Sequence, residues 1–178
     1  MIWFTGDEHF GHKNVIHHCK RPFKDINKMR DTIITNVNKV TKPGDTVWHL
    51  GDFIWYGPDR KNYYLDIMKR YREGVTHHLI LGNHDSANPF MQVDVGFTTV
   101  HTAMPLEIDG IKFILAHDPS VYCYVDENSV LICGHIHTLF KTLPDSRTIN
   151  VGVDMWDFCP VSIVQIMDEI KSWKKTAG

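Results

Sequence analysis

The apolar residues of this chain fall into short runs, and most of the runs end on a polar cluster. Ile2–Phe4, Thr46–Leu50, Leu79–Leu81, Ile111–Ala116 and Val130–Cys133 have the length and make-up of buried strands. Leu106–Ile108 and Ile111–Ala116 flank Asp109-Gly110, a two-residue turn that predicts a hairpin. Thr148–Val153 predicts one more strand. Between these runs the spacing turns helical. Residues 25–41 place Ile26, Met29, Ile33, Val37 and Val40 on one stripe, with Asp25 as N-cap and Pro43-Gly44 beyond the end. Pro58 suits the first turn of a second helix reaching about Arg72, with Leu65, Met68 and Tyr71 facing inward. Ser162–Lys175 predicts a closing helix on Ile163, Ile166, Ile170 and Trp173, although Val161–Ile166 also fits a strand. The pattern is that of an α/β fold, and the absence of repeats and linkers in 178 residues predicts one domain over 1–178.

Composition narrows the class. A chain that is 43% hydrophobic and 22% charged is ordinary for a soluble globular protein. The net charge of −2 gives no basic surface that points to nucleic acid. A nucleic-acid substrate stays open, because a metal site draws phosphate locally. Cys19, Cys123, Cys133 and Cys159 form no Cys-x-x-Cys pair, so reduced thiols in a cytosolic enzyme are expected. The first residues show no signal-peptide pattern, and no run approaches the roughly 18 apolar residues of a membrane span. A cytoplasmic protein with no membrane association is the expectation.

The chemistry lies just after the strands. The runs lead into Thr5-Gly6-Asp7-Glu8-His9, Leu50-Gly51-Asp52, Leu81-Gly82-Asn83-His84-Asp85, Leu115-Ala116-His117-Asp118 and Cys133-Gly134-His135-Ile136-His137. Strand ends of an α/β fold gather such side chains on one rim, where carboxylates, an amide and imidazoles supply oxygen and nitrogen to divalent metals. Asp7 and His9, two residues apart, can point to one side. Asp52 has two oxygens and is the natural bridge between two cations; cations about 3.5–4 Å apart clamp the attacking and leaving oxygens of a phosphoryl displacement. Asn83 offers a neutral oxygen, and His117, His135 and His137 offer imidazole nitrogen. Two divalent ions bring about four positive charges, and Asp7 and Asp52 return only two, so the site stays cationic and suits a phosphate. Histidine without cysteine suits Mn, Fe, Co, Ni or Zn better than Mg. His84, beside a ligand, fits the general acid that protonates the leaving oxygen, with Asp85 orienting its ring and raising its pKa. The nucleophile is then a metal-bound water or hydroxide, and no serine or cysteine is needed for it.

This series resembles the calcineurin-like metallophosphoesterase superfamily, whose pattern is D-x-H, GD, GNH[DE], H and GH-x-H in that order. Here it reads Asp7-Glu8-His9, Gly51-Asp52, Gly82-Asn83-His84-Asp85, His117 and Gly134-His135-Ile136-His137. Asn150-Val-Gly-Val-Asp-Met-Trp156 further resembles a segment of small bacterial and phage-borne members. The resemblance implies a four-layer αββα sandwich of two mixed β-sheets flanked by helices. It also implies Asp7, His9, Asp52 and His137 on one metal, and Asp52, Asn83, His117 and His135 on the other. Thr-Gly-Asp at the first motif and Ala-His-Asp at the fourth are mild variants that leave every ligand in place. With no room for a cap domain, substrate selection falls to loops. The expected function is hydrolysis of a phosphoester, a nucleotide among the candidates, with diesters slightly favoured over monoesters on the strength of the compact outline. Phosphoprotein or nucleotide monoesters are the alternative within the fold. A catalytically silent metal- or phosphate-binding module is the alternative of another class, opposed by the intact His84-Asp85 pair. The His84-Asp85 and His117-Asp118 dipeptides also evoke HD-domain phosphohydrolases, which are all-helical, whereas here they follow β-like runs.

Other residues carry two readings each. His12 and Asn14 either touch the substrate phosphate or form a surface loop and helix cap. Arg21 either clamps a phosphate oxygen or is solvated. His17, His18, His77 and His78 read as core or surface histidines, because adjacent side chains diverge, and His49 reads as packed core. Asp118 either backs His117 or starts a loop with Pro119. Trp55, Tyr56 and Trp156 either stack on a base or belong to the core.

Overall fold

Two mixed β-sheets of five strands lie at the centre of the fold, which is described here from a computed structural model for residues 1–55, 60–85, 89–122 and 128–176. In chain order the elements begin β1 (Ile2–Thr5), α1 (Val15–His18), α2 (Ile26–Val40), β2 (Thr46–Leu50), α3 (Arg60–Met68), β3 (Thr76–Ile80), α4 (Pro89–Asp94) and β4 (Thr99–His101). They continue with β5 (Ala103–Ile108), β6 (Ile111–Ala116), β7 (Ser129–Cys133), β8 (Thr142–Leu143), β9 (Thr148–Asn150), β10 (Val161–Ser162) and α5 (Ile163–Thr176). Sheet one runs β10-β1-β2-β3-β4 and sheet two β5-β6-β7-β9-β8. The expected sandwich of two mixed sheets with helices is what the chain forms.

Alternation along the strands makes the layers. Val47 and Leu79 face α2 and α3, in a core with Met29, Ile33, Val37, Tyr64 and Ile67. Trp48, Leu50 and Ile80 face the other way, toward Phe113, Leu115, Val130 and Ile132 of sheet two, where Ile166, Ile170 and Trp173 of α5 join them. Register positions the chemistry. β1, β2 and β3 are parallel, with Ile2 opposite Thr46 and Thr46 opposite Thr76, so all three release their following turns on one rim. β6 and β7 are parallel in sheet two, and a bridge from Gly6 to Gly152 ties the rims together.

Local chemistry explains several boundaries. Asp25 caps α2, its side chain accepting from the Lys28 amide at 2.8 Å. Asp109 and Gly110 both have positive φ, +50° and +75°, as the two-residue hairpin turn requires. Four expectations need correction. The hairpin starts at Ala103, because Pro105 costs no ladder bond on an edge strand. α3 ends at Met68 rather than at about Arg72 and buries Tyr64 and Ile67, with Tyr71 buried just beyond it, while Leu65 and Met68 are only half-buried; its expected start at Pro58 lies outside the described residues. The strand expected over Thr148–Val153 stops at Asn150 and gives way to the bridge and a short 3-10 turn. At the C-terminus the two readings both apply in part: Val161–Ser162 pairs with β1, then Ser162 and Gln165 bond reciprocally and start α5. Among the described residues the cysteines Cys19, Cys133 and Cys159 are free, and no helix is long and apolar enough to cross a membrane.

Candidate metal centre

The five polar turns are laced together by hydrogen bonds. The Asp7 amide donates to Gly51 O at 3.0 Å and the His9 amide to Asp52 O at 2.9 Å. The His135 amide donates to the Asp7 carboxylate at 2.9 Å, and the His84 amide to Asp52 Oδ1 at 2.9 Å. Asp7, His9, Asp52, His135 and His137 all have left-handed backbones, with φ of 55°, 51°, 53°, 70° and 45°. Each such non-glycine residue stores on the order of 1–3 kcal/mol, and strain of this kind concentrates at functional sites. The turns also share space at two glycines. A Cβ on Gly51 would overlap the His117 ring, and one on Gly82 would overlap the Asp52 carboxylate and amide.

Two groups of candidate ligands result. Asp7, His9 and His137 each bring an atom within 4.8 Å of the others, and so do Asp52, His117 and His135. Asn83 joins the second group, its Oδ1 lying 3.1 Å from His117 Nε2, which is itself 3.2 Å from His135 Nδ1. Asp52 Oδ2 lies between the groups, 3.5 Å from His9 Nε2 and 3.4 Å from His117 Nε2. Ligands held at about 2.0–2.2 Å by one tetrahedral or octahedral ion are about 3.0–3.5 Å apart, so these separations fit divalent cations.

Electrostatics agree with that fit. Among the described residues neither ring nitrogen of His9 has a hydrogen-bond partner, although both are buried. Burial lowers the His9 pKa to about 2 against the pull of Asp52, so the ring is neutral and can serve as a ligand. Burial raises the Asp7 carboxyl to about 6 despite His117 and His137, the mark of an anion short of positive charge. Burial also pushes Asp52 up, but its bond and charge attraction to His117, the bond from the His84 amide and the attraction to His9 together outweigh that and bring it to about 2. Burial pulls His117 down, but the Asp52 bond, the charges of Asp7 and Asp52 and the Leu50 carbonyl together raise it to about 9. The His117 Nδ1 side is held by Leu50 O at 2.7 Å, which presents Nε2 to Asp52 and Asn83.

His84 is near but separate. Its Nε2 lies 3.9 Å from Asp52 Oδ2 and its ring 5.5 Å from that of His9. Asp85 does not orient it. The Asp85 carboxylate instead accepts from the amides of Asp52 at 2.8 Å, Phe53 at 3.1 Å and Gly82 at 2.9 Å, and from the Tyr64 hydroxyl at 3.2 Å. The flank of His84 is Trp55, with ring centres 4.4 Å apart. His12 stacks on Trp55 at 3.7 Å and lies 5.2 Å from His9, so it borders the centre. Asn14 is exposed at the start of α1 and makes no side-chain cap bond.

Arg21 fits neither of its two readings. Its side chain is fully buried, and its donors serve both oxygens of Asp154 at 2.8 Å, Asp7 O at 2.7 Å, Glu8 O at 3.2 Å and Met29 Sδ at 3.4 Å. No donor is left for a substrate phosphate. Asp154 in turn accepts from His137 Nδ1 at 2.9 Å. Sequence reasoning gave Asp154 no role; the available signal was a lone carboxylate between Val153 and Met155 in an otherwise apolar stretch. It also missed Glu8, fully buried and 2.6 Å from His49 Nδ1, with His49 Nε2 3.0 Å from His77 Nδ1. Burial raises the Glu8 carboxyl to about 8. His49 and His77 are thus core residues, as expected, and form a polar chain beneath the metal turns. Asp118 starts a loop, accepting from the Ser120 amide at 2.8 Å, and approaches His135 rather than His117. Trp156 bonds Asn150 O and lies under Lys141, and Tyr56 lies outside the described residues.

The motifs, the two sheets and the paired ligand groups define a metal-dependent phosphoesterase fold. A model of the calcineurin-like phosphoesterase superfamily domain matches residues 8–156, and the chain belongs to that superfamily. It is similar to uncharacterized protein MJ1445 of Methanocaldococcus jannaschii, 29% identical across 97% of this chain and 93% of that protein. It is also similar to the Gene 66 protein of Mycobacterium phage D29, 29% identical across 93% and 94% of the two chains. Among solved structures, the protein of unknown function AQ665 from Aquifex aeolicus superposes with a TM-score of 0.78 at 31% identity, covering 96% of this chain and 99% of the other.

Proposed function

We propose that the protein hydrolyses phosphoesters at a dinuclear centre, with diesters slightly favoured over monoesters, in the cytoplasm. The observation that carries the reading is Asp52 Oδ2, which lies within 3.5 Å of histidine nitrogens from both ligand groups. Asp7, His9, Asp52 and His137 would hold one divalent ion, and Asp52, Asn83, His117 and His135 the other, from among Mn, Fe, Co, Ni and Zn. Such a pair supplies Lewis acidity toward phosphate oxygens and acidifies water at neutral pH.

The chain's own residues supply the rest. His84 stands beside Asp52 and is one-third exposed, so it can meet a leaving oxygen from the open side and donate a proton to it. With Asp85 committed to the backbone, the ring's orientation comes from Trp55. His12, stacked on Trp55 beside the centre, would donate to a substrate phosphate, and exposed Asn14 would reach a longer substrate from the rim. Arg21 acts on the protein and not on the substrate.

The test is hydrolysis of an aryl phosphodiester and an aryl phosphomonoester by protein reconstituted with Mn. Wild type is expected to turn over the diester faster, and Asp52→Asn to lose both activities while remaining folded. Full activity in Asp52→Asn overturns the mechanism, and faster monoester turnover overturns the substrate preference.

A further inference from the structure

The two ligand groups are built differently, and a buried arginine accounts for the difference. A histidine that binds a metal through one ring nitrogen needs the proton on the other, and the acceptor of that proton fixes both tautomer and ring angle. For His137 that acceptor is Asp154, whose Oδ2 is 2.9 Å from Nδ1, leaving Nε2 with its lone pair. Asp154 is 2% exposed and is gripped at both oxygens by the Arg21 fork. The same guanidinium reaches Asp7 O at 2.7 Å and Glu8 O at 3.2 Å. One buried cation therefore braces two of the three residues in the Asp7–His9–His137 group and the peptide between Asp7 and His9. Among the described residues none of Arg21's donors goes to the second group: His117 is steadied by Leu50 O, and the Asp52 turn by Asp85.

Cys19, His137 and Asp154 also come within metal-ligand distance of one another. Asp154 has no oxygen free of Arg21, so a cation held by these three would have to displace a buried guanidinium. The trio is better explained as a thiol beside a closed hydrogen-bond chain.

We propose that Asp154, held by Arg21, is the positioning residue of His137, and that this pair sets the cation affinity of the Asp7–His9–His137 group while leaving that of the Asp52–Asn83–His117–His135 group unchanged. The proposal rests on the dinuclear reading above. Metal-free protein is titrated with Mn by calorimetry, and the spin-coupled signal of the Mn pair is followed by electron paramagnetic resonance. Wild type is expected to bind two equivalents. Asp154→Asn keeps the shape but loses the charge, and about 10–100-fold weaker binding is expected at one site only, so the coupled signal appears only at higher Mn. Arg21→Lys, which loses the fork, is expected to weaken the same site and serves if Asp154→Asn does not fold. Cys19→Ser is expected to match wild type. Unchanged binding in the folded variants, or equal weakening of both sites, overturns the proposal, as does a Cys19→Ser loss matching that of Asp154→Asn. A wild type that binds a single equivalent overturns the dinuclear reading itself.

Discussion

Replacing Asp85 with asparagine separates two roles that the sequence alone could not distinguish. Oδ2 of Asp85 accepts from the amides of Asp52 and Gly82, and Oδ1 from Phe53 N and the Tyr64 hydroxyl. An asparagine that keeps the Oδ1 bonds turns an NH2 group toward two amides that themselves donate. A hydrogen bond to a charged group contributes about 1.5–3 kcal/mol, so losing two costs about 3–6 kcal/mol, a large part of a typical stability of about 5–15 kcal/mol. In a domain of this size, at about 2–4 °C per kcal/mol, the melting temperature should fall by about 6–24 °C. The assay is thermal unfolding of the metal-free protein, followed by circular dichroism. Hydrolysis should also decline, because the Asp52 turn is no longer clamped, and added Mn should restore part of both. A melting temperature within about 2 °C of wild type, combined with a shifted pH profile of hydrolysis, would refute the clamp and return Asp85 to His84.

Two other substitutions test neighbouring parts of the site. His84→Gln should bind two equivalents of Mn by elemental analysis and lose about 10²–10⁴-fold in turnover of an alkyl phosphodiester. The loss should be much smaller with a p-nitrophenolate leaving group, and equal losses on both would remove His84 as the acid. Gly82→Ala sets a methyl group against the Asp52 carboxylate and should abolish binding of the second equivalent while the far-UV spectrum stays unchanged; two tightly bound equivalents would contradict that geometry.

The candidate site was legible wherever its information is local. Asp7 with His9, Asn83 with His84, and His135 with His137 are each a few residues long and follow a recognisable strand, so motif and strand end support each other. The partners of those residues were not legible. Arg21 and Asp154 are 133 residues apart in sequence, and nothing near either one shows that a guanidinium in the first helical region meets a carboxylate after β9. Asp85 was misread because a carboxylate next to a histidine in sequence looks like its partner, whereas the turn sends the two side chains in different directions. The fold shows the same division. α2 was read well because its apolar stripe is the only one available, but in α3 the consecutive Tyr63, Tyr64 and Leu65 leave the inward face ambiguous. β4 carries Thr99, Val100 and His101 at a sheet edge, too short and too polar to announce itself.

The overlap at Gly51 and Gly82 bears on how such a site can be inherited or transplanted. The side chain missing from one motif is the room occupied by a ligand from another: His117 fills the space beside Gly51, and Asp52 the space beside Gly82. A glycine in these turns therefore belongs, in function, to a motif elsewhere in the chain. Moving a single motif into a different scaffold, or drifting one motif at a time, brings a ligand without its vacancy or a vacancy without its ligand. The unit that can be copied is the whole set of turns, and an engineered centre of this kind would have to be grafted with both sheets' rims at once.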